Sequence, residues 1–107
     1  MSDFNQMIGR AKKIRDLYAK HNEQAGIKKW TASDYADGMV GDMGDFIKLL
    51  MAKNGVREID NTENKIEHEV ADIFWSLLVI CDELGVDLQK SFDATMDELE
   101  SRLRPKT

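Results

Sequence analysis

Four carboxylates in two short groups are the residues of this chain best suited to chemistry. Asp42-Met-Gly-Asp45 and Glu69-Val-Ala-Asp72 each place two acids three residues apart. On a helix that spacing puts both side chains of a group on one face. On a helical wheel both pairs flank an apolar arc, lying neither in its middle nor on the far polar side. If the two segments pack antiparallel, the pairs meet near mid-length. Four such groups at a core edge repel one another and resist ionisation unless a cation compensates them. A hard divalent ion with oxygen ligands does this, and Mg²⁺ is the default because it also binds substrate phosphates, with Mn²⁺ as its substitute. The alternative is simpler: acids three apart decorate many solvated helix faces.

Other metal constellations fail on spacing. A di-iron bundle needs Glu three residues before His, but Tyr18 precedes His21 and Lys65 precedes His68. The stretch from Asp60 fails as a calcium loop, with Lys65 at the glycine position and Ala71 at the bidentate acid. Cys81 is the chain's one cysteine, so no thiol pair suggests zinc, and no internal disulfide can form. Cys81 itself lies on an apolar arc and reads as a core residue. His21 and His68 read as single, unpartnered surface residues.

The elements that must position these acids are helices. The first spans about Asp3 to Glu23, with Phe4, Met7, Ile8, Ala11, Ile14 and Tyr18 as one stripe. Asp3 and Gln6 make a capping box, and Gly26 ends the segment. The second starts near Thr31, boxed with Asp34, and runs to about Asn54–Gly55. The third follows Asn61–Thr62 and runs to Leu84, where Gly85 is a stop signal. Asp87 caps a fourth, with Leu88, Phe92, Met96, Leu99 and Leu103 on one side. Nothing reads as a strand. The expected fold is all-α, a four-helix bundle-like domain over residues 1–107 with helices two and three as a central antiparallel pair. The apolar arcs of that pair are wider than one stripe, which predicts contact on two sides and hence a homo-oligomer.

Composition narrows the classes. At 107 residues, 42% hydrophobic and 33% charged, the chain reads as one soluble domain. No signal pattern opens it, and the longest apolar stretch, Ile73 to Cys81, is interrupted by Ser76, so a cytoplasmic protein without a membrane span is expected. The net charge of −5 is unevenly spread. Residues 10–29 carry seven Lys/Arg against Asp16 and Glu23, whereas residues 58–100 carry thirteen Asp/Glu against Lys65 and Lys90. The acidic remainder argues against polymeric nucleic acid as a partner. The asymmetry otherwise reads as solvated faces, or as complementary charge between neighbouring helices or subunits.

The string "GMVGDMGD", residues 38–45, is not a phosphate loop. It lacks the Lys-Ser/Thr ending and the dinucleotide spacing, and apolar periodicity runs through it. Gly38 falls on the face of Asp42 and Asp45 one turn earlier. Helical side chains lean toward the N-terminus, so Gly38 reads as cleared space beside the acids.

The order of a helix, "W-T", "VGDMGDFIKLL", a spacer, "HEVADIFWSLLVICDELGVDL" and a final amphipathic helix resembles the MazG-type nucleotide pyrophosphohydrolases of the all-α NTP pyrophosphatase superfamily, over roughly residues 27–103. That family's signature is Glu-x-x-Glu, a spacer, then Glu-x-x-Asp. Asp42 and Asp45 align with the two glutamates, and Glu69 and Asp72 with the second half. Both first-group acids are thus one methylene shorter, so a metal would sit nearer helix two or use bridging water. The resemblance implies Mg²⁺-dependent hydrolysis of a (deoxy)nucleoside triphosphate to monophosphate and pyrophosphate. It makes the four carboxylates metal-holding and catalytic, in a homodimer or homotetramer. The departure leaves open a catalytically degenerate relative that binds nucleotide or a partner protein, and the bare periodicity leaves open a purely structural helical oligomer.

Other residues carry paired readings. Trp30 stacks on a base or pins its loop to the core. Trp75 walls the nucleotide pocket or fills a subunit interface. Ser76 bonds a base or sugar, or its own helix backbone. Lys48, Lys53 and Arg57 are candidates for phosphate contacts, with Arg102 and Arg104 weaker ones, and each is otherwise a solvated charge.

Overall fold

The computed structural model describes residues 1–105, and among them the chain is all-α, with four helices and no strand. Local chemistry sets most of the boundaries. Helix α1, Phe4–Gln24, opens with a reciprocal box: the Asp3 carboxylate accepts from the Gln6 N–H, and the Gln6 amide oxygen accepts from the Asp3 N–H, both at 2.9 Å. Helix α2, Ala32–Lys53, opens likewise, with Asp34 Oδ2 accepting from the Thr31 N–H at 2.8 Å and Thr31 Oγ1 accepting from the Asp34 N–H. Helix α3, Thr62–Leu84, stops at Gly85, whose φ of 70° is left-handed. The Val86 N–H then reaches back to the Cys81 carbonyl at 2.8 Å, closing the orphaned last turn. Helix α4, Leu88–Leu103, is capped by Asp87, which accepts from the Lys90 N–H at 3.1 Å. The start of α3 is the exception. Asn61 sits at φ 57° with no side-chain cap, and the Thr62 hydroxyl donates instead to the Ile59 carbonyl at 2.6 Å.

Helices α2 and α3 form the antiparallel pair the sequence predicts. Lys53 at the end of α2 meets Glu63 at the start of α3, with Nζ and Oε1 3.3 Å apart. At the other end, Tyr35 shares a buried cluster with Leu78 and Val79. Helix α1 docks on α3 through the Trp75 indole N–H, which donates to the Ala11 carbonyl at 3.1 Å, and through Arg15, which binds Asp82. Ala11, Tyr35, Leu78 and Val79 form the buried core, with Phe4, Ile8, Trp75, Ile80 and Leu88 packed on it. An aromatic line crosses the same region: Trp30 to Tyr35 at 5.3 Å, Tyr35 to Trp75 at 5.8 Å, Trp75 to Tyr18 at 5.8 Å.

The fourth helix does not complete a bundle within the chain. Leu88 reaches the core, but Phe92, Met96 and Leu103 stay exposed and α4 buries none of its residues. The wide apolar arcs show the same incompleteness. Val40, Met43, Ile47, Leu50 and Met51 of α2 and Val70, Phe74, Leu77 and Leu84 of α3 remain exposed. With principal extents of 62 × 41 × 29 Å, the single chain has more apolar face than partner surface to cover it. Among the described residues, no helix is long and apolar enough to cross a membrane.

Candidate functional site

The antiparallel pairing carries Asp42 across from Glu69 and Asp72. One carboxylate oxygen from each of the three lies within 4.8 Å of the others. All three residues are half-buried, and Glu69 Oε2 is fully shielded without a hydrogen-bond partner among the described residues. Such an atom costs free energy unless something neutralises or binds it. Burial, then the charges of Asp72 and Asp45, pushes the Asp42 carboxyl up. Burial, then Asp42, Asp45 and Asp72, does the same to Glu69. Among the described residues no lysine or arginine forms an ion pair with the three.

Asp45 stands apart. It is exposed and supplies no oxygen to the cluster, although its charge is felt by both Asp42 and Glu69. Three residues advance a helix by about 300°, so Asp45 is rotated roughly 60° from Asp42. His68 corrects the expectation of an unpartnered histidine: its Nε2 lies 3.2 Å from Asp72 Oδ2, one helical turn on. The i,i+4 spacing of His68 and Asp72 was the available signal, since residues four apart share a helix face.

Beside the cluster, toward the α2–α3 connection, lies an open groove of about 390 Å³. Asp45, Lys48, Asn61, Asn64, Lys65, His68 and Glu69 line it, with Leu49 and Ile59 as its apolar part. Lys48 therefore stands next to the acids, as its sequence position suggested, and Lys65 joins it from the facing helix. Asn61, Asn64 and Lys65 had no signal in the sequence, because only the pairing brings them to the groove. Lys53 is engaged by Glu63, and Arg57 is exposed in the connection without lining the groove.

The space left by Gly38 is taken by Trp30. A Cβ built on Gly38 would lie 3.4 Å from the indole ring, in van der Waals contact. Trp30 meets Tyr35 edge-on as well, yet remains 41% exposed. It both pins its loop and presents ring surface. Gly41 and Gly44 face open space, so no neighbouring helix of the chain uses them. Trp75 points to α1 rather than to the acids, and Ser76 is buried. Cys81 is half-buried, and burial pushes its thiol up.

What unites this arrangement is a set of oxygen donors short of positive charge, adjoining a groove whose cations come from lysines. Compared with protein-family models, curated proteins and solved structures, the chain matches none.

Proposed function

We propose that the protein is a Mg²⁺-dependent nucleotide pyrophosphohydrolase with a MazG-type fold, cleaving a (deoxy)nucleoside triphosphate to monophosphate and pyrophosphate. The observation that carries the reading is the convergence of Asp42, Glu69 and Asp72, which among the described residues have no compensating lysine or arginine and leave one shielded Glu69 oxygen without a partner. An all-oxygen donor set of this kind fits a hard divalent cation, Mg²⁺ or Mn²⁺. Those three residues would hold the ion directly, and exposed Asp45 suits a water-mediated contact. Bound there, such an ion supplies charge for the phosphates and lowers the pKa of a coordinated water.

The remaining residues have roles of their own. His68 fixes the orientation of Asp72 through its 3.2 Å contact. Lys48 and Lys65, which both line the groove, offer positive charge to phosphate oxygens beside the cluster. Trp30 offers a partly exposed ring for a base. The reading places the protein in the cytoplasm as a homodimer or homotetramer, in keeping with the exposed apolar faces of α2 and α3.

The deciding experiment is pyrophosphate release from a panel of ribo- and deoxyribonucleoside triphosphates with Mg²⁺. Paired formation of monophosphate and pyrophosphate is expected, lost in Asp72→Asn. Release of orthophosphate, or turnover that survives Asp72→Asn, overturns the assignment. A second reading, a non-hydrolysing nucleotide binder, is motivated by the shorter acids Asp42 and Asp45. It predicts thermal stabilisation by nucleotide with Mg²⁺ and no product.

A further inference from the structure

Helix α1 has an outward face that neither the fold nor the acid cluster uses. Two and nine residues after the buried Ala11, Lys13 and Lys20 fall about 200° and 180° round the helix, on the side turned away from α3. Leu17 stands about 40° from Lys13, and Arg10 about 20° beyond it. The hollows along this side join end to end. Gly9, Arg10 and Lys13 line one, Lys13, Leu17 and Lys20 the next, and Lys20, Ile27, Lys28 and Lys29 a third that reaches the connection to α2. Arg10, Lys13, Lys20, Lys28 and Lys29 are all exposed, and none forms an ion pair among the described residues. Asp16 and Glu23 border the strip, and Asp16 is already held by Arg15 at 3.1 Å. Set among the cations are two protruding aliphatic side chains, Leu17 at 56% and Ile27 at 52% exposure.

We propose that this face of α1 and the connection after it dock the protein on an anionic lipid membrane. Arg10, Lys13, Lys20, Lys28 and Lys29 meet the headgroup phosphates, and Leu17 and Ile27 dip toward the acyl boundary. Charge complementarity selects a polyanion, and the residue types select which one. Four of the five cations are lysines, point charges without the planar fork that pairs with base edges. Among the described residues no aromatic ring lines the three hollows, so a nucleic-acid base finds nothing there to stack on. Lysines around protruding aliphatic side chains are the composition of a membrane-surface helix. Because α1 keeps Ile8 and Ala11 in the core, the face rests on the headgroups rather than sinking between them. The acidic remainder, thirteen Asp/Glu against two Lys over residues 58–100, is repelled by the same surface, so the charge asymmetry sets which side of the molecule meets the lipid. The proposal is independent of the chemistry proposed above.

The test is flotation of the full chain with vesicles of phosphatidylcholine and phosphatidylserine, at about 2:1, against vesicles of phosphatidylcholine alone. Circular dichroism checks that each variant keeps its helices. Wild type should float with the anionic vesicles at about 0.1 M salt, release at about 0.5 M, and ignore the neutral ones. Lys13→Glu/Lys20→Glu should weaken binding at least about 30-fold, each lost cation counting about 5-fold and the new acids adding repulsion. Lys90→Glu/Arg102→Glu, the same change of net charge placed on α4, should cost less than about 3-fold, because charges away from the contact are screened. Leu17→Trp should gain emission that lipids brominated in their acyl chains quench, beyond the quenching of wild type. Wild type that stays off the anionic vesicles, an α4 variant that loses as much as the α1 variant, or Leu17→Trp emission untouched by brominated lipid overturns the proposal. Tighter binding to an oligonucleotide or to polyglutamate than to the anionic vesicles overturns it too, in favour of a different polyanion. Pyrophosphate release is scored separately, so the catalytic reading stands or falls by itself.

Discussion

Helix α3 carries two acidic groups about three turns apart, and they are handled in opposite ways. At its C-terminal end Asp82 meets Arg15 and Lys12, and Arg15 also reaches Glu83. The Arg15 hydrogen bond holds the Asp82 carboxyl below its usual range. In the middle of the helix Glu69 and Asp72 face Asp42, with His68 their one basic contact among the described residues, and burial together with mutual repulsion raises Glu69 and Asp42. One group already has its counter-charge and ties α1 to α3. The other is built of the same residue types and, among the described residues, has no lysine or arginine paired with it. What distinguishes the candidate site from the paired group is unmet charge, not charge alone.

The largest expected effect lies in the unmet group. With Mg²⁺ and a nucleoside triphosphate, Glu69→Gln and Asp72→Asn should each lower kcat/KM at least about 100-fold, measured by pyrophosphate release. They should also abolish the rise in Tm on adding Mg²⁺, whereas Asp82→Asn should leave that rise in place. His68→Ala, acting through Asp72, should cost about 10-fold in metal affinity or activity. In the paired group, Arg15→Ala should destabilise the fold by about 1–2 kcal/mol in urea unfolding, since it leaves Asp82 and Glu83 facing α1 without their main donor.

The two groups should also part company with pH. A raised carboxyl means that the folded chain binds the proton more tightly than the unfolded chain. Asp42 and Glu69 therefore favour the fold below the ordinary carboxylate range, about pH 4, and that contribution is lost as pH rises through their elevated values. Asp82 has the opposite sign: its contribution is present above the ordinary range and lost as pH falls through its lowered value. Metal-free Asp42→Asn should accordingly stabilise the protein at pH 7 by about 0.5 kcal/mol, a small figure because the site is partly solvated. The gain in Tm from Mg²⁺ should be largest at neutral pH and vanish near pH 4. The smallest effect is at Gly38. Gly38→Ala should stabilise the protein by less than about 1 kcal/mol, since helix propensity is gained and the new methyl meets Trp30 at van der Waals distance. Gly38→Leu should displace Trp30 and weaken nucleotide binding more than folding.

The helix starts and stops were legible because their causes are local. Asp3 with Gln6, Thr31 with Asp34, Asp87 and Gly85 each act within four residues, and all four do in the structure what their positions implied. The acid cluster was legible in part, since i,i+3 spacing and an antiparallel pair suffice to bring Asp42, Glu69 and Asp72 together. That Asp45 stays outside depends on the rotation of α2 about its axis, which periodicity fixes only coarsely. Arg15 with Asp82 and Trp75 with Ala11 join residues more than sixty positions apart, and no local pattern announces them. The path of α4 was the least legible element. Its apolar stripe says which face is apolar, but not that Phe92, Met96 and Leu103 stay exposed in the single chain.

The aromatic line has an optical consequence. The chain's two tryptophans differ in surroundings: Trp75 has its indole N–H fixed on α1, while Trp30 lies half in solvent over Gly38. Tyr35 sits between them, within 6 Å of each ring. Excitation absorbed by tyrosine should pass to indole, and emission should separate into a blue component from Trp75 and a red one from Trp30. Red-edge quenching then reads the loop before α2, and loss of the blue band reads the undocking of α1. The protein thus carries two internal gauges of different parts of its fold, with no label attached.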